Sequence, residues 1–244
     1  MRHPLTAYVL HSWDWSESSL IVDAFTREQG RIALVAKGAK KPHSNLRAVL
    51  LPFQRITLGL GRAAAGDEGA SEIQNLRGAE WAGGAPMPSG AALFAGFYLN
   101  ELLLKLLARH DAHPVLFDAY AWVLGHLGDE PALRAFELVL LKETGVLPDL
   151  ATVTLTQQAV VAGARYVLRP EVGIAEPRRD DMPIEGADWI ALQAAVSHGS
   201  PDALQQACTR SAAALKPMLR TLLHYHLGGS SLRTRDVMVG LQEL

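Results

Sequence analysis

Four histidines stand in two close pairs, and imidazole pairs are common metal ligands. His110 and His113 are three apart beside Asp111, at the end of a stretch with helical period. His224 and His226 are two apart on another such stretch, so their rings point to opposite sides and cannot share one ion. Capping or solvent exposure is the reading of the first pair. Asp14, Glu17 and Asp23 would be the carboxylates of a magnesium-dependent nuclease, but they fall in turn and strand-edge positions and no second group of acids follows them. Lys37-Gly38 has the phosphate-loop residues in the wrong order, and Gly59-Leu60-Gly61 lacks the third glycine of a dinucleotide site. There is no Gly-x-Ser-x-Gly elbow. Cys208 is the only cysteine, which excludes internal disulfides and thiolate-rich zinc sites. These patterns point away from an enzyme and from a bound cofactor or metal.

What remains is charge. Between positions 27 and 62 stand eight cations, Arg27, Arg31, Lys37, Lys40, Lys41, Arg47, Arg55 and Arg62, against the single acid Glu28, in a chain of net charge −2. A local, one-signed concentration of this kind suits phosphate binding through counterion release. Lys37-Gly38-Ala39-Lys40-Lys41-Pro42-His43 reads as a loop where backbone and ammonium groups can both approach phosphates. Aromatic side chains give such sites a stacking platform. Trp13, Trp15, Phe25 and Phe53 are available, with Phe25 and Phe53 read as core.

The elements that must position these residues fall into two halves. Residues 1–80 read as short strands rich in β-branched and aromatic residues, separated by turn chemistry such as Glu28-Gln29-Gly30. Pro52 marks a break or an edge at the start of the fourth run. Residues 61–69 read as a glycine-rich loop, and residues 71–76 as the returning strand. Five or six short strands in this length predict a small closed barrel of the OB type. Residues 81–88 read as a linker, after which the period becomes helical. Ser89 is placed to cap a helix running to about Arg109. Pro114 and Pro131 sit at helix starts, and Gly145 at a helix end. The helix from Pro131 shows an apolar face of Leu133, Phe136, Leu140 and Leu141. Residues 150–185 lose helical period and read as an irregular or β insert. Helices resume near Ala187, with Pro217 a start or a kink. The stretch from Ala91 to Ala108 is interrupted by Asn100, Glu101 and Lys105, so it reads as a buried core helix rather than a membrane span. No signal-peptide run opens the chain, and the expected location is the cytoplasm. The predicted class is thus α+β and multi-domain: an OB barrel (1–80), a linker (81–88) and a helical domain (89–244) with the insert inside it.

Particular residues carry a resemblance across nearly the whole chain. Tyr8-Val9-Leu10-His11-Ser12, Trp15-Ser16-Glu17-Ser18-Ser19-Leu20, Asp23-Ala24-Phe25-Thr26, Gly30-Arg31, Ala36-Lys37-Gly38-Ala39-Lys40 and Leu51-Pro52-Phe53 come in order. They are followed by Gly96-Phe97-Tyr98-Leu99-Asn100-Glu101-Leu102-Leu103, Arg134-Ala135-Phe136-Glu137-Leu138, Ala214-Leu215-Lys216-Pro217 and Leu232-Arg233-Thr234-Arg235. Together they resemble the RecO family of bacterial recombination mediators. The resemblance implies an OB-fold followed by a helical domain, and a nucleoid-associated role in recombinational repair. It implies binding of single- and double-stranded DNA, annealing of complementary strands, and action with RecR to load RecA on DNA coated by single-strand-binding protein. It implies no catalytic residue. Many members carry a four-cysteine zinc motif in the region of 150–185; this chain has no cysteine there, so a structural zinc is not expected.

Two sets of site residues follow as expectations. The eight cations from Arg27 to Arg62 are candidates for DNA contact, with Arg31, Lys37, Lys40, Lys41 and Arg47 foremost. The acidic and apolar C-terminal tail of single-strand-binding protein, a partner the resemblance implies, needs an apolar groove edged by cations. Arg134 and Lys216 would supply the charge, and Leu138, Leu141 and Leu215 the wall. The competing reading is an OB-fold RNA-binding accessory factor, which composition alone does not separate from a DNA mediator.

Overall fold

The computed structural model describes residues 4–61, 73–234 and 237. Its first compact unit, Met1–Gly125, contains β1 (Leu5–Asp14), β2 (Leu20–Thr26), β3 (Gly30–Ala36), a single turn α1 (Leu46–Val49), β4 (Arg55–Leu60) and β5 (Ile73–Trp81). The strands close a barrel in the order β1-β2-β3-β5-β4. All neighbours run antiparallel except β3 and β5, which pair in parallel with Ala33 opposite Ile73. This is the OB topology expected from the strand pattern.

Side chains alternate across each strand, and one set fills the barrel: Ala7, Val9, Val22, Ala24, Ile32, Leu34, Ile56 and Leu58. The alternate set on β1 and β2, namely Tyr8, Leu10, Asp23 and Phe25, would face water in an isolated barrel, yet all four are buried. Two helices of the same unit account for this, α2 (Gly90–Leu106) and α3 (Pro114–Val123). Phe117 of α3 lies 5.4 Å from both Tyr8 and Phe25, and Tyr120 lies 5.2 Å from Tyr8, ring centre to ring centre. Such pairs add about 0.5–1.5 kcal/mol each beyond the area they bury. Phe97 of α2 packs edge-on against Phe53 at 5.1 Å. Asn100, deep in α2, donates its Nδ2 hydrogen to the Leu10 carbonyl at 2.8 Å and accepts from the Tyr120 hydroxyl, which satisfies a buried amide. Compactness therefore carries past residues 81–88, where composition and period change, to Gly125.

The join is tight at one place. Gly30 has φ +68°, and a Cβ there would stand 1.7 Å from the Asp111 carbonyl oxygen. The His110 N–H donates to the Arg31 carbonyl at 2.9 Å, so the chain between α2 and α3 lies directly on the β2–β3 turn.

The second unit, His126–Leu244, contains α4 (Glu130–Glu143), α5 (Gly186–His198), α6 (Pro201–Thr209) and α7 (Ala212–His226). Asp129 caps α4 by accepting from the Ala132 N–H at 3.1 Å, with Pro131 inside the first turn and Gly145 (φ +74°) after the last. The α4 sequence predicts one apolar face, but the helix is buried nearly all round from Ala132 to Leu141, because α6 and α7 both pack on it. Pro217 lies inside α7, one turn from its start.

Residues 150–185 fold as short strands: β6 (Thr152–Val153) with β7 (Gln158–Ala159), and β8 (Arg165–Arg169) between β9 (Gly173–Ala175) and β10 (Ile184–Glu185). Polar and backbone contacts hold this insert together. The Thr154 N–H donates to the Ile174 carbonyl at 3.1 Å, Arg169 pairs with Asp181 and donates to the Glu176 carbonyl, and the buried Trp189 donates its Nε1 hydrogen to the Tyr166 carbonyl at 3.2 Å.

Candidate nucleic-acid interface

The eight cations of the basic segment have distinct surroundings. At the β2–β3 turn, Arg27 is held by Asp118 of α3 through two parallel bonds, Nε to Oδ1 at 3.0 Å and Nη2 to Oδ2 at 2.9 Å. This bond raises the Arg27 pKa. Arg31 is largely buried. It donates to the Leu104 carbonyl and stands 4.0 Å from Asp23, whose other oxygen is 3.6 Å from Arg109. Burial lowers the pKa of Arg31 and raises that of Asp23, in each case against the attraction of the opposite charge. These two arginines link α2 and α3 to the barrel, Arg31 from a largely buried position and Arg27 from an exposed one.

The other end of β3 is different. The chain leaves the barrel at Ala36 into a turn-rich loop, in which Lys37 and Lys41 are exposed, as is Arg47 on α1. None of the three makes an ion pair among the described residues. Lys40 is half-buried. Its N–H donates to the Ser18 carbonyl at 3.0 Å, and its Nζ reaches the Ser16 carbonyl at 3.2 Å and the Asp14 carboxylate at 3.1 Å. Lys40 thus straps the β1–β2 turn to the basic loop, and part of its charge is matched by Asp14. Arg55, at the start of β4, is exposed; Arg62 lies outside the described residues. Among the aromatic candidates, Phe25 and Phe53 are buried, whereas Trp13 and Trp15 are exposed. Lys37, Lys40, Lys41, Arg47, Trp13 and Trp15 are therefore brought to one end of the barrel, and Arg27 and Arg31 are not.

In the second unit the expected tail groove takes another form. Leu138, Leu141 and Leu215 are fully buried, so they build the core rather than the wall of an open groove. Arg134 is buried as well and pairs with the buried Glu137 one turn on, at 2.7 Å. It lies on the packed side of α4. Of the five expected groove residues Lys216 is the one on the surface, paired with Glu130 at 2.9 Å. Cys208 is enclosed by the same core, where burial pushes its thiol up to about 12, with Glu137 adding to the effect and Arg134 opposing it.

Basic residues also stand outside the Arg27–Arg62 segment. On α7, Lys216 and Arg220 lie four residues apart on the exposed face, and His224 continues the same row. No acid interrupts the chain from position 203 to 235, and that run is visible in the sequence. Arg77, on β5, is exposed too. Asp14, Glu17 and Asp23 do not gather, since Asp14 serves Lys40 and Asp23 serves the arginines. No cluster of three or more potential metal ligands occurs among the described residues, and no described helix is long and apolar enough to cross a membrane.

A closed OB barrel followed by helices and a small β insert places the chain among two-part α+β proteins built on an OB-fold. Comparison with known families narrows the class. Residues 1–82 match the recombination protein O N-terminal family and residues 87–236 the recombination protein O C-terminal family. The chain is 51% identical to the DNA repair protein RecO of Variovorax paradoxus over 98% of this chain and 96% of the relative. It is 52% identical to that of Verminephrobacter eiseniae and 51% identical to that of Acidovorax ebreus, over the same shares. The chain belongs to the RecO family of DNA repair proteins, which are recombination mediators rather than enzymes.

Proposed function

We propose that this chain binds single- and double-stranded DNA and anneals complementary strands. With RecR, it would help to load RecA onto DNA coated by single-strand-binding protein, in the nucleoid of the cytoplasm. The observation that carries the reading is the group of exposed cations Lys37, Lys41 and Arg47, free of carboxylate partners among the described residues, at one end of an OB barrel. Annealing requires a surface that holds strands by their phosphates, screens their repulsion and leaves base edges free to pair. Ammonium and guanidinium groups on a loop supply this, because phosphate contacts position a strand without reading its sequence. The helical unit is the proposed meeting place for protein partners, RecR and the acidic tail of single-strand-binding protein. Lys216 is a surface cation there; Arg134 and the three leucines would be reached only if the core around α4 opened.

The test is annealing of complementary strands precoated with the cognate single-strand-binding protein, with and without RecR, for wild type and a Lys37→Ala/Lys41→Ala/Arg47→Ala variant. The variant is expected to anneal slowly, and its log–log salt dependence for single strands should flatten by about two units, the loss of three phosphate contacts. Annealing at the wild-type rate with an unchanged salt slope would assign the function to other residues.

A further inference from the structure

Trp15 is 61% exposed and Trp13 43% exposed, at the end of the barrel that carries the basic loop. Large indoles left in water cost free energy unless a ligand covers them, and an exposed aromatic beside cations marks a contact surface. Their support is rigid. The β1–β2 turn closes on itself, with the Trp15 and Ser16 N–H groups donating to the Ser19 carbonyl at 3.1 and 3.3 Å, and the Ser19 N–H donating to the Ser16 Oγ at 3.2 Å. Lys40 then ties residues 14, 16 and 18 to the basic loop. His11 stands edge-on to Trp13 at 4.5 Å, which supports one side of that ring. Neither indole is needed by the barrel core, which is complete without them.

We propose, on the reading that this end of the barrel binds DNA phosphates, that Trp13 and Trp15 stack on unpaired bases and make the site selective for single strands. Stacking takes any base, because every base has a π-face, so the selection is for strandedness and not for sequence. The charge around the indoles favours a nucleic acid as the occupant. Lys37, Lys40, Lys41 and Arg47 outnumber the acids Asp14 and Glu17, and Asp14 is already matched by Lys40. A consequence follows for annealing. Once two strands pair, their base faces are stacked within the duplex and unavailable to the indoles. Formation of product thus removes the stacking contact and leaves only the phosphate contacts, which favours release of duplex and renewed capture of single strands.

Affinity by fluorescence anisotropy at one moderate salt concentration tests this, using end-labelled oligothymidylate, an abasic oligonucleotide of equal length and charge, and a duplex. Wild type should bind oligothymidylate about tenfold or more tightly than the abasic strand, the range set by stacking of one or two bases. Trp13→Ala/Trp15→Ala should bring oligothymidylate down to the abasic level while leaving abasic and duplex binding unchanged. Trp13→Phe/Trp15→Phe should recover part of the loss, and circular dichroism should report an intact barrel in both. Equal wild-type affinity for oligothymidylate and the abasic strand would overturn the stacking role while leaving phosphate binding in place. So would unchanged DNA binding by the double-alanine variant, whether or not a protein partner is lost with it, and so would a folded variant weakened equally on all three probes. No salt-dependent binding of any probe by wild type would overturn both this inference and the reading it rests on.

Discussion

Arg27 and Arg31 at one end of β3, and Lys37, Lys41 and Arg47 beyond the other, belong to one basic run in the sequence but to two different tasks in the fold. At the β2–β3 turn each guanidinium has a carboxylate or carbonyl partner contributed from elsewhere in the unit, Asp118, Asp23 or Leu104. Beyond the other end of β3, Lys37, Lys41 and Arg47 have none among the described residues, and Lys40 alone of that loop is matched by a carboxylate, Asp14. The difference teaches that a count of like charges combines groups that are tied into the fold with groups left exposed on its surface, and only their partners tell them apart. Arginine suits the first task, since its planar fork bonds in two directions at once, and lysine on a mobile stem suits the second.

The sharpest way to break the comparison is at Gly30. Gly30→Ala would push a methyl group into the Asp111 carbonyl at a positive φ, and should cost about 3–4 kcal/mol in denaturant unfolding. A full-strength fold in this variant would mean that the turn is not pressed against the α2–α3 connection. Arg31→Ala should cost somewhat less, about 2–3 kcal/mol near neutral pH, by leaving Asp23 buried with one cation fewer. Its pH dependence has a defined sign. A carboxyl whose pKa is raised by folding penalises the folded state above that pKa, and the penalty disappears as pH falls below the unfolded value of about 4. Removing Arg31 raises the folded pKa further, so the loss should be largest near neutrality and smallest in acid. A pH-independent loss would show that Asp23 is not the group left uncompensated. Arg27→Ala is the smallest expected effect. An exposed pair adds little to stability, so the unfolding midpoint should barely move, and the salt slope of DNA binding should match wild type. A flattened slope would place Arg27 among the DNA contacts.

The barrel was legible because its inward residues alternate with period two along β1 to β4, with Gly30 punctuating the hairpin and Pro52 the break before β4. Helix starts were equally readable, since Pro114 and Pro131 sit where the missing N–H costs nothing. What could not be read was which outward faces are covered. Tyr8 and Phe25 look like the dry side of strands, but only the fold shows that Phe117 and Tyr120 meet them, far along the chain. The partners of Arg27 and Arg31 were hidden for the same reason, Asp118 being 91 residues from Arg27. Arg134 and Glu137 have the spacing of an ordinary surface pair on a helix; their burial comes from α6 and α7 packing on α4, which no local pattern records. The candidate site was half legible, through the basic loop and the two tryptophans, whereas the use of Lys40 as a strap required the pairing of two loops.

Cys208 gives the helical unit a built-in clock. It is the chain's only thiol, enclosed beside Arg134 and Glu137, and at a pKa of about 12 roughly one molecule in ten thousand carries the thiolate at pH 8. A disulfide reagent added to the native protein should therefore react far more slowly than with the unfolded chain, at a rate set by how often α6 lifts from α4. If a peptide partner gains entry to Arg134 by opening that core, its binding should change the labelling rate, and the thiol would time the event without any added probe.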